Sequence, residues 1–144
     1  MGQASSHGLG LALANPERKV FVFDGDGSLL MNLGTLATIG EAGPENLYHL
    51  VFSNGIYEVN GRHPVPGGRN IGFVSIAKAS GYPHTFEFSS LNNLQRKLPD
   101  MIARKGPVFV SLDIEPGKQY PWKYDYIHSP EARDRFREAI NKTT

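Results

Sequence analysis

The chain has 144 residues, about one domain, and a domain of this size buries roughly 68–70% of the surface its unfolded form exposes. Its 15 lysines and arginines stand against 14 aspartates and glutamates for a net charge of +1, which argues against the basic footprint of a nucleic-acid or membrane-surface binder. With no cysteine, a disulfide framework, a thiolate nucleophile and a cysteine-ligated zinc are excluded, a composition that fits a reducing cytoplasm, and no apolar run approaches the roughly 18 residues that span a bilayer.

In chain order, residues 3–14 read as a helix stopped by Asn15-Pro16. Residues 19–23 form a β-branched and aromatic run that ends abruptly in Asp24-Gly25-Asp26-Gly27-Ser28, so a buried strand empties into a tight turn. Helical spacing resumes at Leu29, Asn32, Leu33, Leu36 and Ile39, with Asn32 expected on the helix surface, and a second strand follows at 47–53. The Gly- and Pro-rich stretch 55–68 is longer than most strand-to-helix connections, and such segments are functional lids or disorder. A helix at 71–81, a short strand at 85–88, a helix at 90–104 and a buried strand at 107–114 complete the pattern. Pro99 is expected to kink or split its helix, at a cost of about 3 kcal/mol. Ser129 and Pro130 offer an N-cap and a first-turn proline to a terminal helix whose apolar stripe, Ala132, Phe136, Ala139 and Ile140, is expected to pack. Without an internal repeat or linker, the expectation is one α/β domain: a mainly parallel sheet flanked by helices on both faces.

The chemistry concentrates where the first two strands end. A Gly-containing strand-to-helix turn brings the backbone N–H groups of Gly27 and Ser28 close to a ligand, and a helix N-terminus favours the negative charge of phosphate oxygens. Asp26 supplies a hard carboxylate oxygen and Asn54 an amide oxygen from the end of the second strand. Magnesium prefers such donors and completes its octahedron with water, a backbone carbonyl and phosphate oxygens. Both residues then lie at the carboxyl ends of neighbouring parallel strands, where open α/β sheets bind their ligands.

Gly25-Asp26-Gly27-Ser28 followed by Ser53-Asn54-Gly55-Ile56-Tyr57 resembles the cofactor motif of thiamine-diphosphate enzymes, in their diphosphate-binding domain. With the opening stretch MGQASSHGLGLALA, the run GDGSLLMNLGTLATI and the Asn-Gly-x-Tyr-Glu turn, the chain resembles the sulfopyruvate and phosphonopyruvate decarboxylases most. The resemblance covers nearly the whole chain. It implies that Asp26 and Asn54 coordinate Mg2+ through their side chains, with the carbonyl of Ile56 as a third ligand. It also implies that Gly25, Gly27, Ser28 and Tyr57 border the thiamine diphosphate, and that Met1 props the cofactor in its bent conformation.

Three departures from the family pattern matter. The family carries a strand and a Gly-Ser pair before the residue matching Met1, so residues 1–144 are expected to form a thiamine-diphosphate-binding domain lacking an upstream strand. Ser53 stands where many relatives have Asp or Asn. The glutamate that activates the cofactor lies on a separate pyrimidine-binding domain, so a partner subunit of that type, or self-association, is expected to complete a site between chains. The implied activity is a carbon–carbon lyase that decarboxylates a small 2-oxo acid in the cytoplasm, with no nucleic-acid or membrane partner. Arg62, His63 and Arg69, in the loop after the metal site, are candidates to face a sulfonate, phosphonate or carboxylate substrate.

Other readings compete. A non-catalytic or truncated thiamine-diphosphate-binding module would keep the same motif. A haloacid-dehalogenase-type phosphatase would use Asp24 as nucleophile and Asp26 two positions on, but Asp100, Asp113, Asp125 and Asp134 offer no later acidic pair and Asn54 would have no role. An Asp-Gly turn can be only a turn, Ser28 can be a helix N-cap, and Tyr57 and Glu58 can be surface residues. His7, His49, His84 and His128 read as structural or surface groups. The myristoylation-like start, the Asn141-Lys142-Thr143 sequon and the Gly8-x-Gly10 pair lack the context their motifs require; the glycines are better suited to close helix packing.

Overall fold

The computed structural model describes residues 1–118 and 124–141, the side chain of Arg69 excepted. The chain runs α1 (Ala4–Ala14), β1 (Val20–Gly25), α2 (Asp26–Met31), α3 (Thr35–Ala42), β2 (Leu47–Ser53), β3 (Ile56–Tyr57), β4 (His63–Pro64), a 3-10 turn (Gly68–Asn70), α4 (Phe73–Ala79), β5 (His84–Phe88), α5 (Leu91–Ala103), β6 (Val108–Asp113), α6 (Tyr124–Ile127) and α7 (Pro130–Asn141). Four strands form one sheet in the order β1-β2-β6-β5, every pair parallel. β2 and β6 occupy the centre and are covered on both faces, which is why they are nearly continuous apolar runs.

One face buries Val22, Leu47, Val51 and Phe109 under Ala12, Leu29, Leu36, Ile39, Phe73 and Ala77 from α1 to α4. The other buries Tyr48, Leu50, Val108, Val110 and Leu112 under Met101 of α5. Helices therefore flank the sheet on both faces, as the sequence pattern predicts. Gly25 pairs with Phe52 in register, so β1 and β2 end level with each other and the residues just past them share one rim.

Four local expectations are corrected. The helix foreseen from Leu29 to Ile39 is two helices, because Asn32 leaves the helical region at φ −145° and Gly34 starts α3. Short Asn side chains offer a competing hydrogen bond, and the Asn32 amide donates to Ser6 Oγ at 3.3 Å, so Asn32 joins α1 to α2 instead of facing solvent. Pro99 does not split α5, which is continuous; Leu94, Met101 and Ile102 anchor its inner face on β5 and β6, and burial worth about 1.5–3 kcal/mol per large side chain outweighs the missing bond. The 55–68 stretch is an ordered hairpin, with Ile56 opposite Pro64 and Tyr57 opposite His63, turned through positive φ at Gly61 and Arg62. Finally, the stripe on α7 does not pack as foreseen: no described α7 residue is buried and Phe136 is 55% exposed. Its cap is formed as expected, with Ser129 Oγ accepting the Ala132 N–H at 3.1 Å.

Two contacts seat α1 against the sheet rim. A side chain at Gly8 would overlap Val22, so glycine there lets α1 lie directly on β1, whereas Gly10 faces open space. At the other end of α1, Asn46 Nδ2 lies 3.1, 2.9 and 2.7 Å from the carbonyls of Ala12, Asn15 and Arg18. Asn46→Ala strips this cluster of carbonyls of its donor and is expected to cost about 2 kcal/mol, read as a lower urea midpoint with an unchanged slope.

Candidate functional site

Asp26 is the first residue of α2 and is almost fully buried. Its Oδ1 accepts the Gly27 N–H at 2.8 Å and its Oδ2 accepts the Gly55 N–H at 2.7 Å, with Ser53 Oγ at 3.4 Å. One carboxylate thus ties the turn after β1 to the turn after β2. Asn54, also buried, turns its Oδ1 to the Ile56 N–H at 3.0 Å, a local amide bond that fixes the side chain and leaves a second lone pair on the same oxygen.

Met1, Gly25, Asp26, Gly27, Ser28, Asn54, Ile56 and Tyr57 all line one cleft of about 380 Å³. The structure therefore brings together every residue assigned to cofactor and metal on sequence grounds. Gly27 makes room for the Tyr57 ring, since a Cβ there would lie 2.5 Å from that ring and 3.1 Å from Val65. Ser28 is not an N-cap: Gly25 holds that place, and the Ser28 Oγ instead accepts the Gly2 N–H at 3.0 Å. Because α2 is only six residues long, its dipole adds little, and the site rests on the side chains and on the turn between β1 and α2.

The electrostatics point to a cation. Asp24, Asp26 and Glu58 line the cleft, and among the described residues no lysine, arginine or histidine does. The charged side chains a bound diphosphate would meet here are all carboxylates, which a divalent ion between them would balance. Hard oxygen donors from one carboxylate, one amide and one carbonyl suit magnesium, which keeps waters and phosphate oxygens in its shell and needs no protein cage. Among the described residues there is no cluster of three or more His, Cys, Asp or Glu arranged for a metal.

Of the expected substrate residues, Arg62 and His63 do not line this cleft. Arg62 Nη1 donates to the Gly117 carbonyl at 3.1 Å and lies 3.7 Å from Glu58 Oε1, which accepts the Gly117 N–H at 2.8 Å. Arg62 and the half-buried Glu58 thereby clip the hairpin to the segment after β6. His63 is exposed and borders a second, shallower cleft with Met31, Tyr57 and Asn60. The Arg69 side chain lies outside the described residues.

Sequence reading missed a buried pair beneath the turn. His49, in the middle of β2, is 0% exposed, and its Nε2 lies 3.5 Å from Oδ2 of the buried Asp24. Asp24 Oδ1 accepts the Gly25 N–H at 2.9 Å. Burial pushes the Asp24 carboxyl up, but His49, Ser28 and the Gly25 amide together outweigh it and hold the group below its ordinary range. The Asp24 side chain thus has one oxygen on the Gly25 N–H and the other facing His49. The available signal was a histidine inside an otherwise apolar strand, with an aspartate two residues before Asp26.

A parallel sheet with this rim is the architecture of thiamine-diphosphate-dependent enzymes. The structure superposes on a putative thiamin diphosphate-dependent enzyme from Mycobacterium smegmatis with a TM-score of 0.69 at 23% identity, over 81% of this chain and 22% of that one. Transketolase from Leishmania mexicana gives a TM-score of 0.64 at 20% identity, over 78% and 19% of the two chains. In sequence, residues 1–112 match the family model of the thiamine pyrophosphate enzyme C-terminal TPP binding domain, and the chain belongs to that family. It is 51% identical over 142 residues to a sulfopyruvate decarboxylase subunit beta from Methanococcus maripaludis, covering 99% of this chain and 75% of that subunit. It is 39% identical over 140 residues to a phosphonopyruvate decarboxylase from Streptomyces viridochromogenes, covering 97% of this chain and 35% of that enzyme. The chain thus spans about a third of the length of the phosphonopyruvate decarboxylases it matches and about three quarters of the beta subunits. Among the described residues no helix is long and apolar enough to cross a membrane.

Proposed function

We propose that this chain is the cofactor-binding subunit of a thiamine-diphosphate- and magnesium-dependent 2-oxo acid decarboxylase of the sulfopyruvate or phosphonopyruvate type, completed by a separate pyrimidine-domain subunit. The observation that carries the reading is the convergence of Asp26, Asn54 and Ile56 on a cleft walled by carboxylates and by no basic side chain among the described residues. In this reading the Asp26 and Asn54 side chains and the Ile56 carbonyl hold Mg2+. Gly25, Gly27 and Ser28 border the diphosphate, the missing side chain of Gly27 letting the Tyr57 ring pack against the turn, while Met1 and Tyr57 pack the rest of the cofactor. When bound, thiamine diphosphate supplies the electron sink that lets a 2-oxo acid lose carbon dioxide. The chain's own work is to anchor and orient that group and to leave its reactive end facing the partner. Arg62, His63 and Arg69 are assigned to the substrate's anionic group, which requires the Glu58–Arg62–Gly117 clip to open.

The subunit names of the beta-subunit relatives support a partner. Purifying the tagged chain from its source cells and assaying the complex for thiamine diphosphate tests the reading. The expected result is cofactor together with a second subunit of pyrimidine-domain type. A chain that comes down alone and empty would favour the non-catalytic module.

A further inference from the structure

We propose that His49 is a positioning residue: it acts through Asp24 to hold the Asp24–Ser28 turn in the shape that receives the diphosphate and metal. The proposal rests on the cofactor reading above for the turn's purpose, but its geometry stands independently. Val22 is the register partner of His49, so Asp24 lies one pleat further along the same face, on the diagonal that long side chains span. His49 is fully enclosed, with the Phe109 ring edge-on at 5.4 Å; among the described residues neither ring nitrogen has a hydrogen-bond partner, nor does Asp24 Oδ2, which Nε2 faces at 3.5 Å. Burying an imidazole with both nitrogens outside hydrogen-bond geometry costs free energy, and a leucine there would pack against Phe109 without that cost. Stability does not account for histidine at this place.

Orientation does. The Asp24 carboxylate has two directions open to it: inward to His49 and the Gly25 N–H, or outward to the cleft it also lines. Facing outward, it would stand beside Asp26 in a cleft with no basic side chain among the described residues and would compete for a bound cation. With His49 Nε2 facing Oδ2 at 3.5 Å, Asp24, four residues before Ser28, stays inward and keeps Oδ1 on the Gly25 N–H, and the Ser28 Oγ accepts the Gly2 N–H at 3.0 Å. Polar groups thus extend from His49 in the middle of the sheet to the turn that lines the cleft.

Amide hydrogen exchange of the cofactor-free chain tests this in wild type, His49→Leu, His49→Gln, Asp24→Asn and the Asp24→Asn/His49→Leu double variant. His49→Leu is expected to speed exchange at Gly25 and Gly27 about tenfold while leaving α5 unchanged, as a local opening does. His49→Gln, whose amide can donate to Asp24, restores wild-type exchange, and the double variant is no worse than Asp24→Asn. Unchanged exchange at Gly25 and Gly27, a uniform rise through β1, β2 and α5, or additive effects in the double variant would overturn the proposal. Titration of the purified complex with magnesium and thiamine diphosphate gives the second readout, with His49→Leu expected to bind about tenfold more weakly. Equal binding by His49→Leu and wild type overturns the positioning role, whereas a wild-type complex that takes up no cofactor sinks the functional reading and leaves the exchange result to decide the geometry.

Discussion

Asp26→Asn is expected to abolish magnesium-dependent binding of thiamine diphosphate to the assembled protein, raising the dissociation constant at least about 100-fold, or about 2.7 kcal/mol. The substitution keeps the shape of the side chain but removes its charge and one of its two acceptor oxygens. With no lysine, arginine or histidine among the described lining residues, a metal must balance the diphosphate, and the most deeply buried carboxylate at the cleft is its strongest hold. The fold should survive. One of the two N–H groups that Asp26 now satisfies, Gly27 or Gly55, loses its acceptor at about 1–2 kcal/mol, a drop of roughly 5 °C for a chain of this size. Asp26→Ala would orphan both donors at once and mix loss of binding with loss of stability, so asparagine is the cleaner replacement. Calorimetric titration beside a thermal melt separates the two effects; wild-type affinity in Asp26→Asn would refute the ligand assignment.

Gly40→Ala should produce the largest loss of stability of any single methyl addition considered. Helix propensity alone predicts a gain of about 1 kcal/mol from replacing a helical glycine by alanine. Packing predicts the opposite. A Cβ on Gly40 would overlap the Ser80 carbonyl oxygen and sit 2.8 Å from its carbon. That carbonyl cannot step aside, because the Ser80 N–H is tied back to Ile76 at 2.9 Å and Ala77 at 3.1 Å, and the chain reverses at Gly81 with φ +98°. The strain must separate α3 from α4 and loosen the layer containing Ile39, Phe73, Ala77 and Tyr82. Overpacking of this kind costs about 3 kcal/mol, which corresponds to a fall of roughly 10 °C in melting temperature. Urea unfolding settles the sign, and a stabilised variant would mean that α3 and α4 do not meet at this point.

Much of the site was legible because its grammar is local. A β-branched run that stops at Asp-Gly-Asp-Gly-Ser, and a second that stops at Ser-Asn-Gly, place Asp26 and Asn54 at strand ends whatever the rest of the chain does. Parallel strands separated by helical spacing then bring those ends to one rim. The residues assigned to cofactor and metal accordingly line a single cleft. Elements whose form depends on distant contacts were not legible in the same way. Pro99 is tolerated because Leu94, Met101 and Ile102 find β5 and β6 beneath them, and the helix after β1 breaks at Asn32 where Ser6 of α1 offers its amide a partner. Arg62 reaches Gly117 across the hairpin, a contact that spacing along the chain does not announce.

His49 marks the boundary most sharply. Its sequence context, an imidazole in an apolar strand, is shared by many structural histidines. Its meaning comes from Asp24, a residue on the neighbouring strand. By itself the sequence determined the α/β class, the parallel order of strand ends, the family and the two side chains, Asp26 and Asn54, that line the cleft and are proposed for the metal. Only the tertiary structure decided which polar groups are buried together, where helices break or persist, and which charged side chains are already engaged. Periodicity and turn chemistry act within a few residues, whereas desolvation, close packing and side-chain pairing depend on which segments the completed fold presses against one another.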